Sequence, residues 1–141
     1  MTAKQRTLSL GSIKYQLTWR KYISLIQILI KKIKKSGIKF DYIYGIPRGG
    51  LIPSVIISHA LNIKLATDRN IYDCLFGKDD LVLLVDDIID TGRTIEDLEE
   101  YTEHYFKTKI AAIFKHKNSP IVTDFFVEEN DMWVEFPYEK E

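Results

Sequence analysis

VDDIIDTGRT, residues 85–94 and called the acidic segment below, follows the apolar run LVLL at positions 81–84. A continuous apolar run predicts a parallel strand buried on both faces, here over 81–86. The polar residues after it predict a loop, and we expect a helix over about 94–106. A strand, a polar loop and a helix in this order are the repeating unit of a parallel α/β sheet. Such sheets bind ligands at the carboxyl ends of their strands, which is where this segment lies.

The same order recurs on both sides of the acidic segment. Thr18 is a candidate N-cap and Gly37 a candidate C-terminal glycine of a helix whose apolar residues recur every three or four positions. Residues 68–80 are polar and irregular. The remaining predicted elements are strands over 41–46, 63–66, 109–114 and near 121–127, a helix over about 51–61, and a short edge segment over 8–17. The pattern predicts an α/β fold, a mostly parallel sheet with helices on both faces.

Composition places the chain among soluble globular proteins. It has 141 residues, of which 45% are hydrophobic and 28% charged, as is typical of one domain. No apolar run approaches the ~18 residues of a membrane span, and the N-terminus lacks the apolar core of a secretory signal. Cys74 is the only cysteine, which excludes an intramolecular disulfide and a cysteine-rich zinc site. We expect a cytoplasmic protein with no transmembrane segment.

The net charge of zero hides two oppositely charged parts. Residues 1–40 hold ten Lys or Arg and no Asp or Glu, whereas residues 41–141 hold ten Lys or Arg and twenty Asp or Glu. A basic end can indicate nucleic-acid binding. Most of these lysines, however, fall on the polar face of one predicted helix, and the acidic remainder of the fold can face them. We therefore expect no nucleic-acid partner.

The acidic segment combines two kinds of polar group. Asp86 and Asp87 place two carboxylates at the end of a strand, where bound Mg²⁺ or a ligand rich in hydroxyl groups would relieve their repulsion. The threonine hydroxyls and Gly92 that follow, with the free N–H groups of a helix N-terminus, suit an anion. Together they describe a site for a phosphorylated sugar. The alternative interpretation is a turn followed by a helix cap.

GIPRGG, residues 45–50 and called the glycine loop below, follows another predicted strand. It has neither the spacing of a dinucleotide-binding fingerprint nor the ending of a P-loop. Alone, it is compatible with a simple tight turn. Arg48 nevertheless offers a planar guanidinium that can grip a phosphate at two points.

The acidic segment resembles the phosphoribosyl pyrophosphate signature of type I phosphoribosyltransferases, which transfer ribose 5-phosphate to a nitrogenous base. The resemblance implies that Asp86 and Asp87 bind the ribose hydroxyls, directly or through Mg²⁺. It implies that Asp90 also lies near the base and acts as general base. In this family the loop at the position of the glycine loop binds pyrophosphate, and a non-proline cis bond there would be Pro47–Arg48. The implied donor-binding residues are Arg48, Gly49, Gly50, Asp86, Asp87, Asp90, Thr91, Gly92, Arg93 and Thr94.

The order of motifs over nearly the whole chain resembles the xanthine–guanine branch of that family. The resemblance implies that Lys115 binds the 6-oxo group of the purine, that Trp133 stacks on the base and that Val134 contacts its 2-substituent. Glu139 stands where an acidic residue, usually aspartate, helps to hold metal, so the implied metal ligands are Asp86, Asp87 and Glu139. The alternatives are a core role for Trp133 and a solvated strand end for Lys115.

The chain departs from the family where relatives insert a long mobile loop that closes over the reaction. Only residues 68–80 fill this gap, and Ile71-Tyr72-Asp73 is a candidate remnant. Because the transition state needs protection from water, a short loop leaves open a regulatory protein that senses phosphoribosyl pyrophosphate or a nucleotide. A phosphoribosyltransferase for another base is a further alternative. A receiver-like phosphoacceptor domain explains neither the glycine loop nor DTGRT.

The preferred interpretation is a single phosphoribosyltransferase domain over 1–141. Its core spans about 18–127, and a small hood combines the N-terminal edge segment with about 128–141. The expected activity is Mg²⁺-dependent transfer of ribose 5-phosphate from phosphoribosyl pyrophosphate to guanine, xanthine or hypoxanthine, with release of pyrophosphate, in purine salvage. The family resemblance also implies a homo-oligomer, either a dimer or a tetramer.

Overall fold

The computed structural model describes residues 14–66, 76–103 and 105–139. Its elements follow one another as strands and helices along the chain. They are β1 (Lys14–Gln16), α1 (Trp19–Ser36), β2 (Tyr42–Gly45), α2 (Leu51–Leu61), β3 (Lys64–Leu65), β4 (Leu81–Ile89), α3 (Arg93–Thr102), β5 (Lys107–Lys115), β6 (Phe125–Glu129) and β7 (Trp133–Glu135), with a 3₁₀ turn at Pro137–Glu139.

Five strands form the main sheet in the order β3-β2-β4-β5-β6, and every neighbouring pair is parallel. This confirms the predicted fold class. Successive residues of β4 point to opposite faces, as the pleat requires. Leu83 packs in a core cluster with Leu29 of α1 and Ile57 of α2, whereas Leu84 packs in a second cluster with Leu98 of α3. Helices therefore cover both faces of the sheet.

The first helix begins and ends at the residues that the sequence predicts. The Thr18 hydroxyl accepts a hydrogen bond of 3.1 Å from the Lys21 N–H, as an N-cap does. Gly37 has a φ of 71° and its N–H donates to the Lys34 carbonyl, which is the glycine C-terminus that left-handed backbone favours. Among the described residues, no helix is long and apolar enough to cross a membrane.

Three predicted elements have a boundary that differs from the structure by more than two residues. The strand expected over 81–86 continues to Ile89, because Ile88 and Ile89 still pair with β5. Asp86 and Asp87 consequently lie within a strand, so the prediction that a loop begins after 86 is wrong. The helix expected to reach 106 ends at Thr102, and the strand expected near 121–127 is found at Phe125–Glu129.

The first and last strands of the described residues form a small parallel pair. β1 pairs with β7, and the Leu17 N–H donates to the Glu135 carbonyl at 3.0 Å. The division into a core over about 18–127 and a hood stays a prediction. Of the segments discussed above, residues 8–13 and most of 68–80, with Cys74 and the candidate remnant at 71–73, lie outside the described residues.

Candidate functional site

The glycine loop and the acidic segment are in direct contact where β2 ends beside the second half of β4. The Ile46 N–H donates to the Val85 carbonyl at 2.8 Å. A Cβ on Gly50 would collide with that same carbonyl, and a Cβ on Gly49 would collide with the Asp87 carboxylate. Glycine is therefore needed at both positions for the loop to approach so closely. Two segments separated in sequence form one polar surface.

The glycine loop presents its basic side chain outward. The peptide bond between Pro47 and Arg48 is cis, which confirms the implication of the resemblance. The loop is closed by the Gly50 N–H, which donates to the Ile46 carbonyl at 2.8 Å, and by the Leu51 N–H, which donates to the Arg48 carbonyl at 3.1 Å. Arg48 is exposed, so its guanidinium is accessible to a ligand at the edge of the sheet.

The two adjacent aspartates are held by backbone donors. Asp86 Oδ1 accepts from the Asp87 N–H at 2.8 Å, and Asp87 Oδ1 accepts from the Ile88 N–H at 2.8 Å. Burial, followed by the negative charge of Asp87, raises the pKa of Asp86 well above its usual range. The surroundings of Asp86 therefore favour its neutral form, and the two adjacent carboxyl groups repel each other when both are ionised.

Tyr138 completes this arrangement, and sequence reasoning missed it. Its hydroxyl donates a hydrogen bond to Asp87 Oδ2. Burial, followed by the charge of Asp87, raises the pKa of Tyr138, so the hydroxyl keeps its proton. The sequence offered one indication of its importance: Tyr138 precedes Glu139, a predicted metal ligand, in an aromatic segment. The partner could not be found from sequence, because Asp87 is 51 residues away.

A cleft of about 680 Å³ opens beside these groups. It brings the glycine loop, the acidic segment and the C-terminal turn to one opening. The residues that line it are Arg48, Gly49, Leu51, Ile52, Asp87, Tyr138 and Glu139. A guanidinium and two carboxylates around one opening can bind a ligand that carries both anionic and hydroxyl groups.

The predicted phosphate end lies between β4 and α3. Gly92 has a φ of 76° and packs so closely on Ile121 that a Cβ would collide with it. The Arg93 N–H donates to Thr91 Oγ1 at 3.3 Å. Thr91 and Arg93 are exposed and Asp90 is partly buried, while the Thr94 side chain lies outside the described part of the chain. The first turn of α3 therefore begins where an anion was predicted.

The three residues predicted to bind a purine are placed differently. Lys115 ends β5, and its Nζ lies 5.4 Å from the centre of the Phe126 ring. Trp133 is 5% exposed and Val134 is fully buried. None of the three belongs to the described lining of the 680 Å³ cleft. The structure thus brings Arg48, Gly49 and Asp87 to one opening without placing the residues predicted to bind the purine there.

The predicted metal ligands are partly assembled. Glu139 lines the same cleft as Asp87, but its Oε1 accepts from the Phe136 N–H at 3.0 Å. Within the described ranges, no three His, Cys, Asp or Glu side chains form a ready metal site. Mg²⁺ commonly uses only one or two carboxylates and completes its shell with water and phosphate oxygens. The repelling Asp86–Asp87 pair fits that kind of ion.

Comparisons with known proteins agree on one group of enzymes, although no family model matches the chain. A xanthine-guanine phosphoribosyltransferase of Idiomarina loihiensis is 30% identical over 119 residues, covering 72% of each chain. Another from Chromohalobacter salexigens is 33% identical over 115 residues, covering 71% of this chain and 69% of that protein. The crystal structure of a purine phosphoribosyltransferase from Pyrococcus horikoshii superposes with a TM-score of 0.79, at 31% identity, over 92% of this chain and 96% of that one.

Proposed function

Because the chain belongs to the family of the xanthine-guanine phosphoribosyltransferases, we propose that it is a pentosyltransferase of purine salvage. It transfers ribose 5-phosphate from phosphoribosyl pyrophosphate to guanine, xanthine or hypoxanthine and releases pyrophosphate. The observation that carries this proposal is the contact between Gly49 and Asp87, because it joins a pyrophosphate-type loop to a ribose-type carboxylate. Arg48 lies at the same opening.

The donor is held by charge and by backbone groups. Arg48, Gly49 and Gly50 bind the pyrophosphate, and the guanidinium stabilises the charge that grows on it as it leaves. Asp86 and Asp87 accept hydrogen bonds from the ribose hydroxyls. The turn that opens α3 cradles the 5′-phosphate through its N–H groups. The residues proposed for this last role are Asp90, Thr91, Gly92, Arg93 and Thr94.

Mg²⁺ is the proposed cofactor, and Asp86, Asp87 and Glu139 are the residues that would hold it. When bound, it neutralises charge on pyrophosphate oxygens. Burial, followed by the charge of Asp87, raises the pKa of Asp86, and a cation there would relieve the repulsion between the two carboxylates. One oxygen of Glu139 accepts from the Phe136 N–H, and the carboxylate has further acceptor positions with which it would hold the ion.

The acceptor base is recognised from the side of β5. Lys115 is the last residue of β5 and pairs with Ile89 of β4, the strand that carries Asp86 and Asp87. Its ammonium donates to the 6-oxo group, whereas the amino group of adenine would leave it without an acceptor. Trp133 and Val134 are proposed to contact the base, the first by stacking and the second through its backbone. Asp90 is proposed as general base toward the purine.

The test is release of pyrophosphate from phosphoribosyl pyrophosphate and Mg²⁺, with guanine, xanthine, hypoxanthine or adenine offered separately. We expect release with a 6-oxopurine and none with adenine. Lys115→Met should lower kcat/KM for the purine about tenfold or more, and Lys117→Met, an exposed position two residues away, should not. Release with adenine alone would contradict the proposed base.

A second candidate is a protein that senses phosphoribosyl pyrophosphate or a nucleotide with little catalysis. It is favoured by the short connection between β3, which ends at Leu65, and β4, which begins at Leu81. A closing loop built from so few residues excludes water less well. Binding of the donor without pyrophosphate release from any base would support this candidate over the transferase.

The proposed assembly is a homodimer or homotetramer. Trp19 and Ile28 of α1 are 52% and 40% exposed beside the exposed lysines of that helix, while α3 exposes Glu96, Asp97 and Glu100 on the other face of the sheet. These opposite charges support contacts between copies. Light scattering after size exclusion, at low and high salt, measures the oligomer.

The proposed location is the cytoplasm, and the lone Cys74 supports it.

A further inference from the structure

Tyr138 links the C-terminal turn to the carboxylate pair. It lies in the 3₁₀ turn Pro137–Glu139, and its hydroxyl donates to Asp87 Oδ2. The two residues belong to segments that the strand pairing does not connect. The hydrogen bond is therefore a specific side-chain contact across the cleft, rather than a consequence of sheet geometry.

The Tyr138 ring is held in place by two aromatic neighbours and by the closure of its turn. It stacks on Phe136, with ring centres 5.5 Å apart and planes at 6°, and it meets the edge of Tyr22 at 5.7 Å and 73°. Phe136 is 2% exposed and Tyr22 fully buried. The Glu139 carboxylate also closes the turn by accepting from the Phe136 N–H. A ring fixed in this way delivers its hydroxyl to one position.

The hydrogen bond fixes the orientation of Asp87. Oδ1 accepts from the Ile88 N–H and Oδ2 accepts from the Tyr138 hydroxyl, so both oxygens are restrained. A carboxylate offers about four acceptor positions, which leaves room on each oxygen for a ligand hydroxyl or a cation. Gly49 adds no side chain on this side, and the carboxylate lines the cleft.

We propose that Tyr138 is a positioning residue that orients the Asp87 carboxylate toward the hydroxyl groups of the donor sugar. This inference rests on the proposed function and deepens it. Tyr138 transfers no proton and touches no reacting atom. It removes the rotational freedom that Asp87 would otherwise lose on binding, and such preorganisation increases affinity for the donor.

Tyr138→Phe tests the proposal, because it keeps the ring and removes only the hydroxyl. The readouts are the Kd of phosphoribosyl pyrophosphate with Mg²⁺ by calorimetry, and KM and kcat from pyrophosphate release. A hydrogen bond to a charged group corresponds to about tenfold in affinity. We expect Kd and donor KM to rise about tenfold, with kcat changed by no more than about twofold.

Tyr22→Phe is the matched control. The Tyr22 hydroxyl is buried and interacts with the Tyr138 hydroxyl, but it makes no hydrogen bond to Asp87. Its removal should therefore raise the donor Kd much less than removal of the Tyr138 hydroxyl does. A second readout is the double variant with Asp87→Asn. If Tyr138 acts through Asp87, then Tyr138→Phe should change the Kd much less in that background than in the wild type.

If the wild-type protein binds the donor, two results would contradict the proposed role of Tyr138 without contradicting the proposed function. One is an equal or lower Kd for Tyr138→Phe, which would mean that the hydroxyl is neutral or competes with the ligand. The other is full additivity with Asp87→Asn. Absence of donor binding by the wild-type protein is a different result, and it would overturn the proposed function together with the inference.

Discussion

The two sides of the proposed substrate site are built in different ways. On the donor side, the glycine loop and the acidic segment meet through backbone contacts and glycines, and Arg48 remains exposed. On the purine side, Trp133 and Val134 are 5% and 0% exposed and belong to the small β1–β7 pair. The proposed donor side is thus shaped mainly by close backbone approach, whereas the residues proposed to contact the base are held by the packing and pairing of β1 and β7.

This difference has a consequence for variants. Changes to exposed donor-side groups should alter binding with little effect on folding, since the main chain holds them. Changes to the purine side should alter folding first, because buried residues contribute to stability whether or not they contact a ligand. The difference between the donor side and the purine side can be tested by measuring the free energy of unfolding of variants, without any substrate.

Trp133→Ala has the largest expected effect. Removal of a buried tryptophan leaves a cavity and loses apolar burial, so we expect the free energy of unfolding to fall by about 4 kcal/mol. The measurement is urea unfolding followed by circular dichroism. Met132→Ala is the matched control, because Met132 precedes it in the chain and is 41% exposed. A similar, small loss in both variants would show that the purine side is not held by packing.

Gly92→Ala tests the donor-side residue that, unlike the exposed groups there, is tightly packed. Gly92 combines a φ of 76° with direct packing on Ile121, so alanine is both strained and overpacked, and we expect a loss of about 3 kcal/mol. Gly37 is the matched control, because its φ is 71° and a Cβ there meets nothing within 4 Å. Gly37→Ala should cost about 1 kcal/mol. Equal losses of stability in the two variants would show that the contact with Ile121 does not contribute to the cost of Gly92→Ala.

Local sequence signals predict well the helix and strand that carry the donor side. Gly50 and Asn62 flank α2, and the helix has the predicted bounds because glycine precedes it and left-handed backbone ends it. The apolar run before Asp86 predicts β4, and the parallel order follows from alternating strands and helices. The end of β4 is misplaced because pairing of Ile88 and Ile89 with β5 is a tertiary contact that local polarity does not reveal.

Long-range contacts explain what the sequence leaves open. Tyr138 reaches Asp87 across 51 residues, and no spacing rule connects them. Trp133 is equally compatible, as a sequence signal, with a stacking surface and with a core residue. Its burial supports a structural role, and its contact with a base stays a prediction. The roles of Lys115 and Glu139 likewise depend on neighbours from other segments.

The smallest expected effect comes from Asp86→Asn, and it separates charge from packing on the donor side. Because burial and Asp87 raise the pKa of Asp86 above its ordinary 3.8, the folded protein favours protonated Asp86. That stabilisation is complete below about pH 4 and is lost as the pH rises through the folded pKa. Asparagine stays neutral and keeps an oxygen for the Asp87 N–H. We therefore expect Asp86→Asn to raise the free energy of unfolding by about 1 kcal/mol at pH 7.

The gain from Asp86→Asn should disappear near pH 4, because Asp86 of the folded wild type, whose pKa is raised, already carries its proton at that pH. Urea unfolding at both pH values measures this, and Asp79→Asn, at an exposed turn, should give no comparable gain at pH 7. A gain of equal size at both pH values would attribute the effect to packing. A loss of stability at pH 7 would mean that the hydrogen bond from the Asp87 N–H outweighs the repulsion between the two carboxylates, and that the donor side, like the purine side, is held by contacts rather than strained by charge.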